Sequence, residues 1–223
     1  MSDTDSFIEE VTEEVRRDRL FALLRRYGWI AALAVLAIVG GAAWNEWQSA
    51  QATKQAQALG DGVIAALEAP EASARADALA SVDAATPGGQ AIRAFLLASE
   101  QQAAGDTEAA IATLEAITAL DDLPEIYGQI AGFKALVLMG DTMDVQERRT
   151  AFGGLARPGA PLRMLAEEQL ALIDIAEGNT DAAIERLQMI LQDAETTSDL
   201  QERASQAIVA LGGTPDVRGG ADQ

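Results

Sequence analysis

Two residue types that carry much of enzyme chemistry are missing, because the 223-residue chain has no cysteine and no histidine. Thiolate nucleophiles, disulfides, thiolate and imidazole metal sites and histidine-based triads are thereby excluded. The lack of cysteine also fits an oxidising compartment. Cations are scarce too, with 16 Lys and Arg against 35 Asp and Glu, a net charge of −19. Nucleic acid is excluded as a partner, since binding it requires clustered cations that displace counterions. The same excess argues against lying flat on anionic lipid. Lys54 and Lys134 are the only lysines, and nothing marks a serine beside either as a dyad. The glycine pairs Gly88-Gly89 and Gly153-Gly154 lack the Lys-Ser/Thr of a phosphate loop. Glu167-Glu168 and Asp121-Asp122 are sequence neighbours that a helix points apart, so they read as solvated surface. Aromatic residues are only 4% of the chain, too few to suggest an aromatic-lined sugar site. Neither an enzyme nor a holder of cofactor, metal or small-molecule substrate is expected.

Long apolar runs are absent with one exception. Residues 29–44 carry no charge, and Glu46 is the first ionisable group after them. Trp29 and Trp47 lie 18 positions apart, roughly 27 Å along a helix. Together with Trp44 they are all the tryptophans of the chain, placed as an interfacial aromatic belt would place them. This pattern predicts a transmembrane helix over 28–47, with Gly40 and Gly41 offering a close approach to another helix. Arg16, Arg17, Arg19, Arg25 and Arg26 crowd its N-terminal side, while Lys54 is alone on the other. That asymmetry predicts a cytoplasmic N-terminus and an exported remainder. The competing reading is a cleaved signal peptide with Gly40-Gly41-Ala42 as its cleavage site.

Residues 48–223 hold 27 acidic and 11 basic residues, and the whole chain has 46 alanines. Alanine is the strongest helix former, so an all-α fold is expected. Ala52, Ala56, Leu59, Val63 and Leu67 keep a helical period, predicting that the apolar helix runs on, with a bend at Gly60 or Gly62, to end near Pro70.

An internal repeat is the strongest fold signal. Gly105-Asp-Thr-Glu-Ala-Ala-Ile-Ala-Thr-Leu114 returns as Gly178-Asn-Thr-Asp-Ala-Ala-Ile-Glu-Arg-Leu187, identical at six of ten positions. Each copy reads as a helix–turn–helix corner: glycine ends one helix, and Asp106 or Asn179 caps the next. Ala110, Ile111, Leu114 and Ile117 then form a buried stripe, matched by Ala183, Ile184, Leu187 and Ile190. These corners resemble the tetratricopeptide repeat, a pair of antiparallel helices of about 34 residues. In that register Leu97 and Ala98, and later Leu170 and Ala171, fill the first-helix positions. Ala110 and Leu114, and later Ala183 and Leu187, fill the second-helix positions. One unit spans about 91–124 and another about 162–194, with a divergent pair, 125–139 and roughly 143–155, between them. Ser198-Asp-Leu-Gln201 fits a capping box that opens a terminal helix, stopped by Gly212-Gly213.

The resulting layout is a charged amphipathic cytoplasmic segment over 1–27, the membrane helix over 28–47, a tetratricopeptide-like α-solenoid over 48–213 and a disordered tail over 214–223. It resembles the YfgM-like family, ancillary subunits of the bacterial Sec translocon. The likeness rests on Phe7-Ile8-Glu-Glu-Val11, Glu13-Glu-Val-Arg-Arg-Asp-Arg19, Arg26-Tyr-Gly28, Trp44-Asn-Glu-Trp47 and Leu162-Arg-Met-Leu-Ala166, followed by Gly178-Asn-Thr-Asp-Ala-Ala183. The resemblance implies a single-pass protein of the bacterial inner membrane whose periplasmic domain is a scaffold for protein–protein interaction. Its implied partners are Sec translocon subunits and a periplasmic prolyl-isomerase-like chaperone acting on emerging proteins. Two other readings share the architecture. One is an adaptor of another envelope machine, for cytochrome c maturation or outer-membrane assembly; the other is a signalling protein acting through its N-terminus. The groove is not expected to be a carboxylate clamp, because that needs several basic residues.

Overall fold

The computed structural model describes the backbone of residues 3–216, and among these every regular element is a helix. The first helix, α1 (Asp3–Leu67), passes unbroken through Gly60 and Gly62. It runs through two compact units, residues 1–57 and 58–223, described separately below.

In the first unit, the expected cytoplasmic segment and membrane helix are one continuous helix. Among the described residues no helix is long and apolar enough to cross a membrane. This overturns the transmembrane helix expected over 28–47 and, with it, the single-pass inner-membrane placement and the orientation drawn from the arginines. Trp44 and Trp47 stack on each other, ring centroids 5.5 Å apart and planes tilted by 39°. Gly40 and Gly41 face open space. Arg25 is exposed, and the side chains of Arg16, Arg17, Arg19 and Arg26 lie outside the described residues.

The second unit continues with α2 (Ala72–Ser81), α3 (Pro87–Ala103), α4 (Thr107–Thr118), α5 (Glu125–Met139), α6 (Val145–Leu155), α7 (Arg163–Ala176), α8 (Thr180–Gln192) and α9 (Ser198–Ala210). Local chemistry sets several of these boundaries. Thr86 accepts a hydrogen bond from the Gly89 N–H while Pro87 fills the first helical position, so α3 starts where a donor is not required. Asp144 accepts from the N–H groups of Gln146 and Glu147 and opens α6. Gly105 and Gly178 take φ of 85° and 78°, left-handed values that end α3 and α7 at low steric cost.

Three apolar clusters tile the array. Ala91, Ala98, Ala110, Leu114, Ile117, Ala131 and Ala135 join α3, α4 and α5. Phe152, Leu170 and Ile173, with Phe133 edge-on to Phe152 at 5.7 Å, join α5, α6 and α7. Met164, Ala171, Leu187, Ile190, Leu191, Leu200, Ala204 and Ile208 join α7, α8 and α9. Helices α5 and α7 each serve two clusters, which is how stacked helix pairs make one continuous core. Alanine at the crossing points (Ala91, Ala98, Ala110, Ala131, Ala171 and Ala183 are all buried) lets the backbones approach closely. The α9 face closes the last cluster.

Two local expectations change. The cap of α9 is Thr197, which accepts from the Leu200 N–H, so Ser198 is already inside the helix. The start of the expected disordered tail is tethered: Gln188 Nε2 donates to the Thr214 carbonyl at 2.7 Å, and the Asp216 N–H donates to Gln188 Oε1 at 3.1 Å. Residues 217–223 lie outside the described residues.

Candidate partner-binding grooves

Helices α3, α5 and α7 are the first members of successive pairs, and two adjoining grooves run between them. The first, about 200 Å³, lies between α3 and α5, with Ala98, Leu114 and Phe133 beneath Ser99, Gln102, Lys134, Val137 and Leu138. The second, about 210 Å³, lies between α5 and α7 against α6, lined by Leu136, Val137, Gly140, Arg148, Phe152, Gln169, Leu172, Ile173 and Ala176. Val137 lines both. Val137 and Leu172 are 40% and 46% exposed, large apolar side chains left uncovered on this face. Each groove is smaller than the roughly 300–1,000 Å³ of a typical small-molecule site. Depressions of this size suit single side chains of a peptide, taken one after another.

Among the described residues no acid lines either groove, although the chain carries 35 of them. The arginine pairing explains part of this. Glu100 of α3 binds Arg75 of α2, N to O 2.7 Å. Asp174 of α7, almost wholly buried, binds Arg149 of α6 at 2.8 Å and Arg186 of α8 at 3.2 Å. Arg149 also reaches Glu177, and Arg186 reaches Glu167, each at 2.5 Å. Glu168 holds Arg203 of α9 through two bonds of 2.7 and 2.9 Å. The acids of α3 and α7 are thus turned toward neighbouring helices and neutralised there. Hydrogen bonding to Asp174, and then to Glu177, raises the Arg149 pKa above its ordinary value against the opposing effect of burial. Bonds to Glu168 do the same for Arg203.

A third opening, about 420 Å³, lies between α4, α5 and α6. It forms where Gly128 and Gly132 of α5 carry no side chain, beside Ile117, Leu123, Leu136 and Leu155. Glu125 and Gln129 sit on its rim, hydrogen-bonded to each other at 2.8 Å. It offers no convergence of charged or nucleophilic groups.

The repeat residues read from the sequence are mostly core. Ala98, Ala110, Leu114, Leu170, Ala171, Ala183 and Leu187 are buried, whereas Leu97 is half-buried. Asp106 caps α4 by accepting from the Ala109 N–H at 3.1 Å. Asn179 occupies the equivalent position but its side chain makes no cap bond, donating to Glu177 at 3.4 Å instead. Glu167 and Glu168 do point apart, yet each is largely buried against an arginine and neither is solvated surface. The groove residues Lys134, Val137, Gln169 and Leu172 carry no motif, and only their place on α5 and α7 identifies them.

Fold and grooves together are compatible with a helical-repeat scaffold. No family model, curated protein or solved structure matches the chain.

Proposed function

We propose that the chain is a non-catalytic scaffold that holds a protein partner in the grooves between α3, α5 and α7. The observation that carries this reading is an apolar face with no acid among its described residues, exposing Val137 and Leu172, on a chain of net charge −19. Strong net negative charge keeps the rest of the surface from non-specific association. A face with no described acid, floored by core residues and rimmed by amides with Lys134 and Arg148, is then the region where a partner segment is desolvated at least cost. Hydrophobic surface left open and rimmed by polar groups is typical of interaction sites.

The likeness to the YfgM-like family supports a setting for this scaffold: an ancillary role beside the Sec translocon, with a prolyl-isomerase-like chaperone as co-partner. Short-range crosslinking of the full-length protein in its native cells, followed by mass spectrometry of the isolated complexes, tests it. Recovery of translocon subunits with such a chaperone supports the setting. Recovery of a different assembly replaces the setting and leaves the scaffold, and recovery of no protein contradicts both.

A further inference from the structure

Lys134 is the cation of the first groove. It is exposed on α5 and lines the first groove beside Val137 and Leu138, with Ser99 and Gln102 opposite on α3. Among the described residues it has no ion-pair partner, whereas Arg75, Arg149, Arg163, Arg186 and Arg203 are each held by a carboxylate. In a chain with so many acids, a cation kept clear of them has its charge available to a ligand. The two grooves are otherwise lined by apolar residues, Ser99, Gln102 and Gln169, together with Arg148, which has an interaction of its own. We propose that they take an extended segment of aliphatic residues carrying one acidic side chain, with that carboxylate against the Lys134 ammonium and aliphatic side chains against Val137 and Leu172. This rests on the scaffold reading above and adds the chemistry of the occupant.

The physical logic is a division of labour. Apolar burial supplies affinity in proportion to area, while one charge pair at the groove edge sets register and discriminates between segments. A basic segment is disfavoured because it meets Lys134 with no acid among the described groove residues to offset it. A single ammonium also differs from a clamp of several cations: it reads one side chain and does not need a chain terminus.

A displayed library of random nine-residue peptides, selected against the immobilised full-length protein, tests this. Lys134→Glu and Leu172→Asp are selected in parallel, each first shown by circular dichroism to keep its helix content. Peptides enriched on the unaltered protein are expected to share one Asp or Glu flanked by Leu, Ile or Val. On Lys134→Glu the acidic preference disappears while the aliphatic one stays, and on Leu172→Asp the aliphatic enrichment falls. The best synthetic peptide should bind Lys134→Gln about fivefold more weakly, the worth of one exposed ion pair near the top of its usual range. Aliphatic peptides with no acidic preference, or an unchanged motif on Lys134→Glu, would overturn the inference and leave the scaffold standing. No enrichment beyond that seen on Leu172→Asp would overturn both.

Discussion

Asp174 on α7 and Arg186 on α8 hold, 73 residues further along, the positions that Gln101 on α3 and Thr113 on α4 hold in the first copy. Thr113 Oγ1 donates to Gln101 Oε1 at 2.8 Å, and Arg186 Nε donates to Asp174 Oδ2 at 3.2 Å. The same cross-helix slot is therefore a neutral hydrogen bond in one pair and an ion pair in the other. The charged version recruits Arg149 from the preceding helix, so that α6, α7 and α8 are tied through one buried carboxylate.

Removing that carboxylate leaves Arg149 and Arg186 each with one acid in place of two. Asp174→Ala should cost about 2–3 kcal/mol, the usual range for lost hydrogen bonds to charged groups. Asp174→Gln combined with Arg186→Thr copies the neutral pair of the first repeat and should recover part of the loss seen in Asp174→Gln alone. Thermal denaturation of the single and double variants gives the coupling directly. Additive losses would mean that the slot does not act as a pair.

The left-handed corners make a second prediction. A Cβ at Gly178 meets no atom within 4 Å, so Gly178→Ala isolates the backbone cost of φ 78°. About 1–2 kcal/mol is expected, or roughly 3–6 °C in melting temperature for a domain of this size. Gly105→Ala should behave alike, and a neutral result at either would mean that the corner relaxes elsewhere.

These corners were legible in the sequence because glycine followed by a capping residue has few other structural uses. The α5 boundaries, residues 125 and 139, were equally plain from Pro124 ahead and Gly140 behind. Helix α2 was not: Glu71 precedes it without a side-chain cap, and its alanine-rich run lacks a strong apolar stripe. The arginine network was also hidden. The partners of Arg149, Asp174 and Glu177, are far along the chain and meet it only when α6 packs on α7. The membrane helix failed for a different reason. The count of uncharged residues and their flanking tryptophans suggested a span, but among the described residues no helix is long and apolar enough to be one.

The two corner caps should separate although their sequences match. Asp106 bonds the Ala109 N–H, so Asp106→Ala should cost ~1 kcal/mol. Asn179 makes no such bond, so Asn179→Ala should cost clearly less. Equal melting-temperature losses would show that Asn179 caps α8 in solution.

Arginine pairing also fixes a pH response. The raised pKa values of Arg149, Arg163 and Arg203 mean that their stabilisation is complete below the ordinary arginine pKa. It is lost only as pH rises through the still higher folded value. The melting-temperature gap between the unaltered protein and Arg149→Met should therefore stay constant from about pH 7 to 10, well below any arginine titration. A gap that closes over that interval would contradict the assignment.

The central claim is that the face shared by α3, α5 and α7 holds a protein. Photo-crosslinking residues placed one at a time at Val137, Leu172 and Met189 in the full-length protein, and activated in its native cells, test it most directly. Met189 is also apolar and exposed, but it lies on α8 away from both grooves. The account predicts discrete protein adducts at 137 and 172 and none at 189. Adducts of equal yield at all three positions, or none at 137 and 172, would contradict it.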